Sequence, residues 1–150
     1  MKSVHKSVLI WHSAQEMYDL VTGVDRYPEF LPWCDRSRVL AQTETEMTAE
    51  VGISIAGVKQ SFVTRNEQQP GRQVRLNLVK GPFSSLHGLW QFTPIGAPEQ
   101  NACRVDLTLD YDFSNRLLAA VVGPVFDRIA NNLVDAFVKR ADDVHGAGSA

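Results

Sequence analysis

Residues 105–113 constrain this chain more than any other stretch. Val105, Leu107, Leu109, Tyr111 and Phe113 share one parity; Asp106, Thr108, Asp110 and Asp112 share the other. Side chains alternate across a strand, so this is a strand with one apolar and one wet face, which belongs to an antiparallel sheet. Such a sheet must bury its apolar face against something. The residues before it repeat the pattern in short runs. Val51, Ile53 and Ile55 alternate with Gly52, Ser54 and Ala56; Val74, Leu76 and Leu78 alternate with Gln73, Arg75 and Asn77. Leu86, Gly88, Trp90 and Phe92 share one side of the strand before Pro94. Turn signals at Gly57, Pro70-Gly71, Gly81-Pro82 and Pro94 to Pro98 separate the runs. With further strands at 36–42 and 59–67, six consecutive strands follow, and Val4 to Ile10 adds one at the N-terminus.

The cover is at the end of the chain. From Ser114 to His145 only Gly123-Pro124 resists a helix, and Pro124 predicts a kink. Leu118, Val122, Phe126, Ile129, Leu133 and Phe137 form one apolar stripe. Thirty helical residues span about 45 Å. Residues 117–126 are apolar on every side, so Leu117, Val121 and Val125 call for a second partner. The choices are the segment Tyr27–Trp33, another protein (a second copy included), or a lipid. Between the first strand and the sheet, Ser13 and Glu16 have capping-box spacing and start a helix that stops at Gly23. A single helical turn is expected around Pro28 to Leu31, in a segment whose prolines forbid a longer helix. The whole is α+β: a seven-stranded curved antiparallel sheet gripping a long C-terminal helix, one domain over 1–145, with a disordered tail at 146–150.

A chain of 150 residues can bury a core without staples, and Cys34 and Cys103 have neither metal nor redox spacing. A net charge of −2 argues against a general nucleic-acid coat. Arg36, Arg38, Arg65, Arg72 and Arg75 form either a local positive patch or a mixed-charge surface. The start of the chain leads into polar alternation rather than a signal peptide, so a cytoplasmic location is expected. His5, His12, His87 and His145 lack metal spacing and read as surface or satisfied histidines. No catalytic or metal site is expected. His87 and Asp25 are the only acid–base candidates, and the parity of His87 points it away from the inner face.

The segment Tyr27-Pro28-Glu29-Phe30-Leu31-Pro32-Trp33-Cys34 resembles the signature of the coenzyme Q-binding START-domain family, of START-like helix-grip fold. Gly81-Pro82-Phe83, Trp90-Gln91-Phe92-Thr93-Pro94 and Ala136-Phe137-Val138-Lys139-Arg140-Ala141 agree with it, in order, across about residues 3 to 144. The resemblance implies non-enzymatic binding of a hydrophobic ligand, ubiquinone or another polyprenyl quinone, between sheet and helix, in support of respiration. The quinone would be bound cargo, not a catalytic cofactor. Bacterial members called ribosome association toxins imply an alternative: binding the large ribosomal subunit and hindering subunit joining. A polyketide cyclase or dehydratase, the activity of similar folds, ranks third. For the carrier, Phe83, Trp90 and Tyr111 should line the cavity, with Phe126, Ile129 and Leu133 from the helix. Phe30, Trp33 and Val122 should guard its mouth. The apolar helix start leaves open peripheral contact with the inner membrane and homodimerisation.

Overall fold

The computed structural model describes residues 2–146. The strands are β1 (Lys2–Ile10), β2 (Ser37–Gln42), β3 (Glu46–Ile55), β4 (Val58–Gln69), β5 (Gln73–Lys80), β6 (Phe83–Ile95) and β7 (Ala102–Phe113). They form one curved antiparallel sheet in the order β1-β7-β6-β5-β4-β3-β2. Consecutive strands are neighbours, and β1 closes the far edge against β7. The hairpin between β3 and β4 turns on Ala56 and Gly57, both at positive φ (53° and 79°). That is the two-residue loop whose twist matches the strands, and the glycine carries the second left-handed position without strain.

The helix α1 (Ala14–Thr22) starts at the expected capping box: the Glu16 amide donates to the Ser13 hydroxyl, and the Ser13 amide donates to the Glu16 carboxylate. A 3₁₀ segment spans Val24–Glu29. It lies earlier than the turn expected at Pro28 to Leu31, with Pro28 near its end rather than its start. The Arg26 amide already donates to Gly23, and Phe30 closes the segment by donating to Tyr27.

The single kinked helix expected from Ser114 is two helices. Asn115, not Ser114, caps α2 (Arg116–Val121), accepting from the Leu118 amide, and α3 (Gly123–His145) begins anew with Pro124 in its first turn. Proline has no amide to donate to the preceding turn, so the chain breaks there rather than bending. At 23 residues α3 spans about 35 Å. The break also changes which apolar residues are covered. Val125 turns into the core, whereas Leu117 and Val121 on α2 are 72% and 51% exposed. The stretch is therefore not buried on every side, and the Tyr27–Trp33 segment packs at the other end of α3, against Phe137.

The core has three parts. Val122, Val125, Phe126, Ile129 and Ala130 pack on Phe83, Leu86, Leu109, Tyr111 and Phe113. Val134, Phe137 and Ala141 pack with α1 on Val74, Trp90, Phe92, Cys103, Val105 and Leu107. Val24, Leu31 and Cys34 cover Met47, Ala49 and Val51 of β3. Beyond Gly146, the tail expected at 146–150 lies outside the described residues.

Candidate functional site

A cavity of about 90 Å³ lies under the middle of α3, where the second and third core regions meet. Its position follows from side-chain size. Toward the start of α3, Phe62, Phe83, Tyr111, Phe113 and Phe126 fill the space between helix and sheet, with ring centroids 4.7–6.4 Å apart, mostly edge to face. Further along α3 the facing residues are smaller. Val21, Val24, Ala49, Val51 and Val74 leave a gap bounded by Tyr27, Trp33, Trp90 and Phe137.

Of the nine residues expected at the site, Trp33, Trp90 and Leu133 line this cavity. Phe83, Tyr111, Val122, Phe126 and Ile129 belong to the packed aromatic region instead, none more than 6% exposed. Val122, expected at the mouth, is the fully buried hinge between α2 and α3. Phe30 lies outside the lining and packs on Phe137, its ring centroid 5.2 Å away. The Arg140 guanidinium sits 5.0 Å above the Phe30 ring and donates to Glu29 at 2.7 Å, tying the segment to α3.

Polar residues of the wall were not anticipated. On β4, Thr64 and Asn66 face inward and are 5% exposed each, and both line the cavity. The Thr64 hydroxyl donates to Asn66 Oδ1 at 2.8 Å. No hydrogen bond from Asn66 Nδ2 is recorded among the described residues. Gln68, next in the row, points its amide at the Met47 sulfur 3.9 Å away. The sequence does hold a signal for this row: neutral Thr64, Asn66 and Gln68 alternate with charged Arg65 and Glu67, and the charged face is the wet one. The other two hydroxyls of the wall are committed elsewhere. Thr22 donates to the Tyr18 carbonyl, and the Tyr27 hydroxyl donates to the Val21 carbonyl, burial raising its pKa well above the usual phenol value.

The remaining reactive groups sit apart from the cavity. His87 is exposed on the outer face and Asp25 on the 3₁₀ segment. His12 is buried and bonded to Asp142 at 2.7 Å. Burial pushes both thiols, Cys34 and Cys103, up to about 11. No cluster suited to a metal ion occurs among the described residues. On the outer face, Arg38 donates to Glu50 at 2.8 Å and Arg75 lies across from Glu67. Arg38 and Arg75 thus face carboxylates, and that part of the outer face is mixed in charge. No described helix is long and apolar enough to cross a membrane.

Known proteins share this architecture. The family described as polyketide cyclase / dehydrase and lipid transport matches residues 10–138. The chain is similar to a ribosome association toxin, RatA, of Pseudomonas aeruginosa: 43% identical over 143 residues, 95% of this chain and 97% of that one. It is 30% identical over 142 residues to the mitochondrial coenzyme Q-binding protein COQ10 homolog B of Xenopus laevis, covering 94% of this chain and 58% of that one. A crystal structure from Thermus thermophilus superposes with a TM-score of 0.78 at 19% identity, over 99% of this chain and all of the other, a likeness of fold.

Proposed function

The chain belongs to the polyketide cyclase / dehydrase and lipid transport family, and on that premise we propose that it is a non-enzymatic carrier of a hydrophobic ligand, ubiquinone or another polyprenyl quinone, in support of respiration. The observation that carries this reading is the cavity wall: aliphatic and aromatic side chains, with three hydroxyls, one carboxamide and no carboxylate, imidazole, amine or thiol. A cyclase or dehydratase needs an acid or base at the substrate. The only ionisable side chain here, Tyr27, is a committed donor with a raised pKa. The quinone is cargo, held by burial. Each methylene contributes about 0.8 kcal/mol, so two or three isoprene units offset much of an association cost of roughly 4–15 kcal/mol.

At about 90 Å³ the cavity is smaller than the roughly 150 Å³ void that accepts benzene in a protein core. Uptake therefore requires a wall to move. The least regular wall is the segment Val24–Cys34, which contributes Val24, Tyr27 and Trp33. The exposed Leu117 and Val121, beside Arg116 on α2, suit peripheral contact with a membrane from which such a cargo would be drawn. Native mass spectrometry of freshly purified protein, followed by solvent extraction, tests the reading. A stoichiometric polyprenyl quinone is expected; an empty protein that takes up no added quinone overturns it.

A second reading has separate support: relatives 43% identical over nearly the whole chain are named ribosome association toxins. In this reading the chain binds the large ribosomal subunit and hinders subunit joining. Arg36, Arg65, Arg72 and Arg75 are exposed and make no ion pair among the described residues, so they are outer-face groups free to meet phosphate. Cosedimentation with purified large subunits on a sucrose gradient tests it, and a protein that stays at the top of the gradient removes it. The two roles are compatible, since one uses the inside of the fold and the other its surface.

A further inference from the structure

The carrier reading leaves open how a ligand lies in the cavity, and Asn66 bears on that. It projects from the middle of β4, 5% exposed, among Val51, Val74, Leu76, Phe62 and Trp90. A carboxamide so placed must have its polar atoms satisfied or it destabilises the fold. Half of it is satisfied: Oδ1 accepts from Thr64, which fixes the plane of the group. For the other half, the Nδ2 donor, no protein acceptor is recorded, and the residue lines the cavity. Thr22 and Tyr27 have donated to backbone carbonyls, so the donors left on the lining beside Nδ2 are the indole N–H groups of Trp33 and Trp90.

We propose that Asn66 is the headgroup-selecting residue of the site: its Nδ2 donates to a carbonyl oxygen on the ring of the ligand, so the ligand enters head first, with its apolar tail toward the Trp33 side. This rests on the carrier reading and adds a ligand class to it. The site takes a flat ring bearing a hydrogen-bond acceptor and disfavours a hydrocarbon of the same shape, because the hydrocarbon leaves Nδ2 desolvated and unpaired. Thr64 is a positioning residue that acts through Asn66. Removing its hydroxyl frees the carboxamide to rotate and blurs the selection without removing the donor.

The test compares decylubiquinone with n-decylbenzene, which has a ring and the same tail but no acceptor. Binding is followed by calorimetry and by tryptophan fluorescence, since Trp33 and Trp90 line the cavity. Wild-type protein is expected to bind the quinone at least tenfold more tightly. In Asn66→Leu, close in shape, quinone affinity should fall about tenfold while decylbenzene binds as well as before or better. Thr64→Val should narrow the quinone preference by a smaller factor, about threefold, and it carries the test if Asn66→Leu does not fold. Unchanged selectivity in the folded variants overturns the assignment of Asn66 and leaves the carrier reading standing. Wild-type protein that binds neither compound overturns both.

Discussion

Asp127 on α3 accepts from two donors at once: Lys2 Nζ from β1 and the Tyr111 hydroxyl from β7. Three elements therefore meet at one carboxylate. Partial burial raises its pKa, but the hydrogen bonds from Lys2 and Tyr111 and the charge of Lys2 outweigh burial, and the net shift is downward from 3.8. Glu16 is lowered as well, chiefly by its bond from the Ser13 amide. The sign follows from linkage. A carboxyl whose folded pKa lies below its unfolded one contributes stability above the unfolded value, and that contribution is lost as pH falls through the folded value. The acid limb of stability should thus lie below about pH 4. Asp127→Asn should cost about 1 kcal/mol at pH 7, a modest amount because Lys2 is exposed, and should flatten the limb between pH 4 and 2. Urea titrations at pH 7 and pH 3 measure both; equal losses for wild type and variant would remove Asp127 as the source.

Between α1 and β2 the segment Val24–Cys34 is held to α3 by side chains rather than by a backbone ladder. Tyr27 and Phe30 pack edge to face on Phe137, and Arg140 adds its stack on Phe30 and its bond to Glu29. Glu29 is half exposed, so the ion pair adds little by itself. The stack contributes about 0.5–1 kcal/mol. Arg140→Ala should therefore destabilise by about 1 kcal/mol, a fall of roughly 2–4 °C in Tm. Glu29→Ala should cost less, because the stack survives it. Equal losses in thermal melts of the two variants would mean that the ion pair, not the ring contact, ties the segment down. Elements of this kind mark the boundary of what the sequence discloses. The strands are legible because period-two alternation is local, and α1 because its cap is spelled out in four residues. The break at Val122 is half legible: Gly123-Pro124 marks the place, but whether the helix kinks or restarts depends on how Val122 packs. The cavity is not legible. It arises from a sum of volumes over Val21, Ala49, Val51 and Val74, and these come together only in three dimensions. For the same reason Phe83, Tyr111 and Phe126, natural choices for a pocket wall, are the filling next to it.

At the scale of the molecule, sheet and helix form a clamp whose contents are uneven: dense aromatic packing near the start of α3, a gap further along. The gap is bordered by α1, the Val24–Cys34 segment, β3, β4, β5, β6 and α3. A ligand filling it would touch parts far apart in the chain, so its binding free energy should appear as stability of the whole fold. For a ligand that binds only the native state, concentrations near 100 times Kd add about 2.7 kcal/mol. In a domain of this length that corresponds to a rise in Tm of about 5–10 °C. Calorimetry with saturating decylubiquinone should therefore show one transition, moved up by that amount. A single transition is expected because the Val24–Cys34 wall, the sheet and α3 share the cavity, and none can lose its contacts without opening the others. Two transitions with only the lower one moved would mean that Val24–Cys34 melts on its own and that the ligand binds to it alone. No shift at quinone concentrations well above the fluorescence Kd would mean that the quinone binds the unfolded chain as well as the native one, and the gap would then be a packing flaw rather than a binding site.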